Sequence, residues 1–356
     1  MTASDPRLAT LHAWLQQLPS HLGADPGSLR PASADASFRR YFRIDTAHGT
    51  RVVMDAPPER EPLDAFLDVA ERLRRAGVNV PEVIARDSSQ GLLLLSDLGE
   101  MNFQAALRHE PAPGDATIHD WYLGSLRALA AVQRADASGL PAYDASRLIE
   151  ELTLFPEWYV DRHCGYTLDD IERQQMAEIG ELLARRAAAQ PQVLVHRDFH
   201  SPNLMLPMGG DPRPGVLDFQ DAVRGPIAYD LASLLMDART TWDEPQQLDW
   251  GIRYWELARR EGLPVPADIA DFHADWEWIG LQRNLRILGV FARLNLRDGK
   301  PGYLAHLPRV EGYVRQVAEH YDVFRPLLRL LDRLAEHRAK GEPTGNAGPG
   351  VAPSLP

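Results

Sequence analysis

The chain has 356 residues, 44% hydrophobic and 25% charged, an ordinary globular balance. Its 38 basic residues against 50 acidic ones give a net charge of −12, which argues against tracking nucleic acid or an anionic lipid surface and admits a cationic ligand or a plain solubility role. The single cysteine, Cys164, excludes an intrachain disulfide, and no apolar run is long enough to span a bilayer. A soluble cytoplasmic monomer without nucleic-acid or membrane partners is expected, with Cys164 an inert thiol.

In chain order, Leu8, Leu11, Trp14, Leu15 and Leu18 predict an amphipathic helix over 6–22. Residues 36–55 read as two strands around a turn at Ala47-His48-Gly49-Thr50. A helix is predicted over 60–76, closed by Gly77, followed by strands at Val80–Ile84 and Leu92–Leu95. At Ser96-Asp97-Leu98-Gly99 the character changes. Helices are predicted over 118–135, 144–163, 168–189, 228–239, 245–261, 267–297 and 309–339, interrupted by short strands in 193–221. The class is therefore α+β. A small β-rich N-lobe over 1–97 precedes a large helical C-lobe over 98–339. The Pro/Gly-rich stretch 340–356 is expected to be disordered.

The chemistry concentrates in His196-Arg197-Asp198-Phe199-His200-Ser201-Pro202-Asn203, with Val216-Leu217-Asp218-Phe219 beyond it. A polar turn between strands would use similar residues. Phosphoryl transfer, however, needs a carboxylate to align an attacking hydroxyl and hard oxygen ligands for magnesium, and here those types recur at the required spacing. Asp198 is the expected base, and Asn203 and Asp218 the expected Mg2+ ligands. The pattern H-R-D-x-x-x-x-N with a following D-F is the kinase signature. The segment resembles the aminoglycoside phosphotransferase and choline kinase superfamily. That resemblance implies a bilobal protein-kinase-like fold using ATP. His196 is then expected to brace the loop, and His200 to reach substrate or stabilise the loop. Asp230 matches a helix-opening aspartate that caps its helix and ties back to the catalytic loop.

On the nucleotide side, Ser96, Asp97 and Leu98 match the hinge that meets an adenine edge. Met54 stands on the strand where such a fold carries a phosphate-binding lysine. Cationic compensation must come from elsewhere. Arg39, Arg40 and Arg43 are the candidates, and strand alternation puts Arg39 and Arg43 on one face with Arg40 on the other. Asp35-Ala36-Ser37 replaces a glycine-rich loop as a turn whose N–H groups would face phosphate. These departures keep a non-catalytic nucleotide-binding protein in view, although the base and metal positions are intact.

Within the superfamily, four stretches resemble the bacterial anomeric kinases of cell-wall recycling that act on N-acetylmuramate and N-acetylglucosamine. They are Asp35–Phe42, Val52–Pro58, Glu151–Tyr159 and Leu281–Leu294. The resemblance implies an amino-sugar substrate converted to its 1-phosphate, and makes the absent lysine a family trait. N-acetylmuramate carries a carboxylate, which suits a forked cation. Arg283, Arg286, Arg293 and Arg297 fall within an arc of about 80° on a helix. Of these, Arg283, Arg286 and Arg293 are taken as substrate candidates, with Glu151 for sugar hydroxyls and Trp158 as an aromatic wall. An aminoglycoside kinase would want a carboxylate-lined pocket, and a choline or ethanolamine kinase an aromatic cage, for which Trp250, Trp276 and Trp278 are available.

Overall fold

The computed structural model describes residues 5–32, 39–208 and 210–341. The expected phosphate-facing turn at Asp35–Ser37, and all but the first two residues of the expected tail, lie outside the described residues.

Helix α1 (Pro6–Gln16) begins at Asp5, whose carboxylate accepts the N–H groups of Arg7 and Leu8 at 3.0 and 3.3 Å. It is shorter than the periodicity predicted, because Pro19 adopts an extended conformation and only one 3-10 turn follows, at Ser20–Leu22. Five strands then form an antiparallel sheet: β1 (Asp25–Pro31), β2 (Arg40–Thr46), β3 (Gly49–Asp55), β4 (Val83–Asp87) and β5 (Leu92–Ser96), in the order β1-β2-β3-β5-β4. Helix α2 (Asp64–Arg75) lies between β3 and β4 in sequence. Gly49, at φ 89°, closes the β2–β3 turn opposite Thr46. The sequence gives no alternating signal for β1, whose Pro26, Gly27 and Pro31 are tolerated because it is an edge strand with a register shift. Strand β4 starts three residues later than predicted, beyond Pro81.

The register assigns side chains to faces. Tyr41, Met54 and Leu93 are cross-strand partners, as are Arg43, Val52 and Leu95. The other face carries Phe42, Ile44, Val53, Leu92 and Leu94, packed under Leu11, Trp14 and Leu15 of α1. Arg40 and its cross-strand partner Asp55 share this α1 face. Asp55 is fully buried and receives Arg7 Nε on one oxygen and Arg40 Nε on the other, each at 3.0 Å. Arg40 also pairs with Asp5, and Arg7 donates to the Gln90 carbonyl at 2.8 Å. One buried charge thus latches α1 to β2 and β3.

The remaining chain runs through α3 (Phe103–Leu107), α4 (Asp115–Arg134), α5 (Ala145–Leu152), a π-helical stretch (Phe155–His163), α6 (Asp170–Ala189), β6 (Gln192–Val195), β7 (Leu204–Met205), β8 (Gly215–Val216) and β9 (Val223–Pro226). It continues through α7 (Tyr229–Leu235), α8 (Glu244–Arg260), α9 (Ile269–Leu296), α10 (Leu307–His320) and α11 (Arg325–Gly341). The predicted helix over 144–163 is therefore two segments of different pitch. The one over 309–339 breaks at Tyr321, whose backbone is extended. No helix among the described residues is long and apolar enough to cross a membrane.

Two compact units result. The first comprises 1–144 and 187–280, and so holds the five-stranded sheet and the catalytic segment. Its helical core includes Trp250, stacked on Tyr122 at 4.0 Å, and Trp276, so close to Gly251 that a Cβ there would stand 2.1 Å from the indole. The second comprises 145–186 and 281–356. There the Tyr159 hydroxyl donates to Glu311 at 2.7 Å, while Arg338 donates to both, at 3.1 Å to the tyrosine oxygen and 3.0 Å to the carboxylate. Burial pushes the Cys164 thiol up to about 11, which leaves it protonated and unreactive at neutral pH.

The latch on α1 is directly testable. Asp55→Asn leaves two guanidinium groups facing a neutral amide, and unfolding by urea should show a loss on the order of 3 kcal/mol. An unchanged midpoint would mean that α1 is held by its apolar face alone.

Candidate active site

The catalytic segment lies in the first unit. Strand β6 pairs antiparallel with β9, and β7 with β8. The loop 196–203 links β6 to β7, and the turn at 217–220 follows β8. Both ends are sewn to neighbouring chain: the Val216 N–H donates to the Asn79 carbonyl at 2.8 Å, and that of Leu206 to the Met101 carbonyl at 3.0 Å. The ring of Phe219 lies 4.9 Å from that of Phe66 on α2.

The loop is shaped from beneath by Asp230. This carboxylate, completely buried at the second position of α7, accepts the His196 N–H at 2.7 Å and the Arg197 N–H at 3.0 Å. It does not cap α7 as expected; Ala228 holds the cap position without a side-chain bond, and both Asp230 oxygens are directed to the loop. Arg197 is left-handed at φ 77°, a conformation costly for a side chain with a Cβ, and its guanidinium lies 5.4 Å from the Tyr143 ring. His196 is fully buried. Its Nδ1 accepts the Asp198 N–H at 3.3 Å, which assigns the ring proton to Nε2, the donor to the Leu217 carbonyl at 3.0 Å. The histidine thus ties the backbone of Asp198 to the residue before Asp218.

Asp198 is half-buried on this frame, and its carbonyl receives the Asn203 Nδ2 at 2.9 Å. Asp218 is exposed and left-handed at φ 64°. Gln220 Nε2 donates to its Oδ1 at 2.7 Å, and its Oδ2 stands 3.5 Å from Asn203 Nδ2. Every hydrogen bond of the Asn203 amide among the described residues runs through Nδ2, so Oδ1 is left as an acceptor. The carboxylate of Asp218 and this amide oxygen are hard donors side by side, a set that fits magnesium completed by phosphate oxygens and water. No cluster of three or more acidic, histidine or cysteine ligands occurs among the described residues, so a self-sufficient protein cage for a metal is not what this turn offers.

His200 carries two expectations, substrate contact or loop stabilisation. It is buried, with its Nε2 3.4 Å from Asn203 Nδ2, and its charge acts on the buried Asp237. Burial pushes the Asp237 carboxyl up, but His200, the Ser201 hydroxyl and Arg239 together hold it below the usual carboxylate range. Asp237 accepts the Ser201 N–H at 3.1 Å and also the Ser201 hydroxyl. A second buried carboxylate therefore anchors the far end of the loop, and sequence reading missed it along with Ser201 and Gln220.

At the sheet, Met54 is sealed in the core, so the position of the missing lysine is an apolar packing site and not a cofactor contact. Arg40 is removed from the phosphate candidates as well, because it lies on the α1 face bound to Asp55. Arg43 donates to Asp97 at 2.9 Å and to the Gly99 carbonyl, fastening the segment that follows β5. Burial pushes the Asp97 carboxyl up, but Arg43 and the Gly99 N–H outweigh it and hold the group below its ordinary value. Ser96 accepts the Glu82 N–H at 2.8 Å. The ladder stops there, and the N–H and C=O of Leu98 have no hydrogen-bond partner among the described residues. Arg39 pairs with Glu61 at 2.9 Å, just before α2.

The remaining candidates belong to the second unit. Arg286 pairs with Glu151 at 3.0 Å. Trp158 has the Arg162 guanidinium 3.9 Å above its ring, so that face is occupied and not an open wall. Arg283 is buried, Arg293 is half-buried, and Arg297, beyond the end of α9, pairs with Asp298 at 2.7 Å. The predicted arginine stripe is thus four different environments. Its second-unit neighbour Gly289 sits so near the chain that a Cβ would stand 2.3 Å from the Leu154 carbonyl oxygen.

Burial pushes the Asp230 carboxyl up to about 6, against the pull of its two N–H donors and His196. Its folded value lies above the ordinary 3.8, so the stability it contributes is complete below about pH 4 and is lost as pH rises through about 6. That loss is on the order of 3 kcal/mol. Asp230→Asn has no such proton, so its stability deficit should shrink between about pH 4.5 and about pH 7 in urea unfolding. A deficit of about 1–3 kcal/mol should persist at the upper pH, since two N–H groups then share one amide oxygen. A deficit growing with pH would contradict the assignment.

Comparison with known proteins agrees with this geometry. A phosphotransferase enzyme family model matches residues 28–268. A Pseudomonas aeruginosa protein named N-acetylmuramate/N-acetylglucosamine kinase is 42% identical over 342 residues, 94% of this chain and 98% of its own. Its Neisseria meningitidis namesake is 43% identical over 92% and 96%. Among solved structures, a choline/ethanolamine kinase family protein from Mesorhizobium loti superposes with a TM-score of 0.59 at 15% identity, over 94% of this chain and 99% of that one. The ADP-bound aminoglycoside phosphotransferase APH(2'')-Ib gives 0.57 at 12% identity, over 88% and 99%. These likenesses show the fold to be kinase-like, and the family match with the near full-length relatives shows that the chain belongs to the phosphotransferase enzyme family.

Proposed function

We propose that this chain transfers the γ-phosphoryl group of ATP to the anomeric hydroxyl of N-acetylmuramate and N-acetylglucosamine, giving the sugar 1-phosphate and ADP, a reaction that recovers cell-wall amino sugars. The observation that carries the reading is near full-length identity of 42 and 43% to relatives bearing that name, in a chain whose Asp198 and Asn203 stand on a braced loop with Asp218 on the adjoining turn. Asp198 orients the sugar hydroxyl and takes its proton as the oxygen attacks phosphorus and the bond to ADP breaks. A loose transition state asks mainly for this positioning. Asn203 and Asp218 would hold magnesium, which supplies charge neutralisation on the phosphates when bound.

The open backbone groups of Leu98 suit the adenine edge. For the phosphates, elimination favours Arg39: it stands one residue before β2, where continued alternation gives it the Tyr41 and Arg43 side, while Arg40 is turned away and Arg43 is bound to Asp97. The pair with Glu61 ahead of α2 holds Arg39 as a kinase fold holds its strand lysine. A choline-type reading loses its support because Trp250 and Trp276 are packed core residues and form no cage.

Phosphorus-31 NMR of a reaction with Mg-ATP and N-acetylmuramate tests the proposal. A sugar phosphate whose phosphorus couples to the anomeric proton is expected, and ATP left intact with both sugars would overturn it. Asp198→Asn should lower kcat by about 10²-fold or more with the melting temperature unchanged. Arg39→Met should lower kcat/KM for ATP by roughly tenfold or more, while Arg40→Met should affect stability and not nucleotide use.

A further inference from the structure

The loop between α7 and α8 is pinned near both ends, and a cation stands between the pins. Near its start the buried Asp237 accepts the Ser201 N–H at 3.1 Å and the Arg239 N–H at 2.9 Å. One carboxylate thus sets Arg239 beside the loop 196–203, which carries Asp198 and Asn203. Near the other end the Trp242 indole donates to the Tyr122 hydroxyl at 2.7 Å, and the Gln247 amide donates to the Trp242 carbonyl at 2.8 Å. All of these residues lie in the first unit. Arg239 is half-buried, and its guanidinium makes no hydrogen bond and no ion pair among the described residues. Asp237 feels its charge without pairing with it. Elsewhere in this unit arginines have taken acids: Arg7 and Arg40 share Asp55, Arg39 holds Glu61, and Arg43 holds Asp97. In a chain of net charge −12, a half-buried arginine without an acid is a receptor still open to an anion.

We propose that Arg239 receives the carboxylate of N-acetylmuramate while Asp198 holds its anomeric hydroxyl. This rests on the sugar-kinase reading above and extends it, because that carboxylate is the group N-acetylglucosamine lacks. The acid hangs from the C3 oxygen, two ring carbons from the reacting one, so its receptor belongs beside the loop 196–203 and not on it. An uncommitted guanidinium offers a carboxylate charge-assisted hydrogen bonds from a planar set of donors, where a lysine would offer a point charge. Asp237 and Trp242 hold the loop on either side of Arg239, so little backbone freedom is left to lose on binding. Arg239 is therefore a specificity-determining residue that favours the acidic sugar.

The test uses the full chain and three sugars: N-acetylmuramate, its neutral amide in which the carboxylate becomes a carboxamide of nearly the same shape, and N-acetylglucosamine. The unsubstituted enzyme should use the acid with a higher kcat/KM than the amide. Arg239→Gln should lower the N-acetylmuramate to N-acetylglucosamine ratio of kcat/KM by about tenfold or more, the loss of a hydrogen-bonded charge pair. Arg239→Lys should recover part of it. Equal use of acid and amide by the unsubstituted enzyme would overturn the assignment even if Arg239→Gln fails to fold. An equal fall for both sugars in a folded Arg239→Gln would overturn it as well, because a residue that reads the carboxylate cannot act alike on a sugar without one. Turnover of neither sugar by the unsubstituted enzyme would remove the sugar-kinase reading itself, and this proposal with it.

Discussion

The arrangement depends first on a carboxylate that never meets solvent. Asp230 spends both oxygens on consecutive N–H groups, those of His196 and Arg197, and so fixes the direction in which the chain enters the loop 196–203. Without those bonds Arg197 would have no reason to remain left-handed, at a cost of about 1–2 kcal/mol. From there the constraint propagates. His196 joins Asp198 to Leu217, the Leu217 N–H returns to the Asn203 carbonyl at 2.9 Å, and Asp237 secures Ser201 between them. Three residues suited to chemistry are displayed by neighbours that are not. The second strained residue, Asp218, is itself one of the three, and Gln220 steadies its carboxylate.

The N-terminal sheet handles charge differently. It separates three arginines of one short segment by face and by partner. Arg40 neutralises a buried aspartate under α1, Arg43 holds Asp97 beyond the end of β5, and Arg39 is linked to Glu61. Asp55 lies beside Met54 on the same strand but projects to the opposite face. A single strand thus supplies the sheet with a charge for its helix-covered side and a wholly apolar residue for its other side.

Much of the site was legible because its spacing is local. Asp198 to Asn203, and on to the D-F pair, lie within one short stretch of chain whose flanking strands are short apolar runs. Strand alternation likewise separated Arg40 from Arg39 and Arg43 before any partner was known. What stayed hidden depends on distant pairings: Asp237 meets Ser201 across 36 positions, and Arg7 meets Asp55 across 48. No periodicity reports such contacts. Helical spacing gave the angle between the arginines of α9 but not their surroundings, so a sealed residue, an ion-paired one and a half-exposed one looked alike. Strand β1 was unreadable because proline and glycine mask an edge strand, and the π-helical stretch because one extra residue per turn leaves no mark on a short aromatic pattern.

The contact between Phe66 and Phe219 carries a thermodynamic consequence. Phe219 follows Asp218 directly, and Phe66 belongs to α2, just after Glu61, the partner of Arg39. A shift of α2 that moves Glu61 and its partner Arg39 would also bias the ring packing behind Asp218. Linkage is reciprocal: whatever free energy a shift of α2 passes to the turn at Asp218, a rearrangement of that turn must return to α2. The two rings, tilted by 34° at 4.9 Å, would therefore couple the segments, so that α2 and the turn at Asp218 shift together.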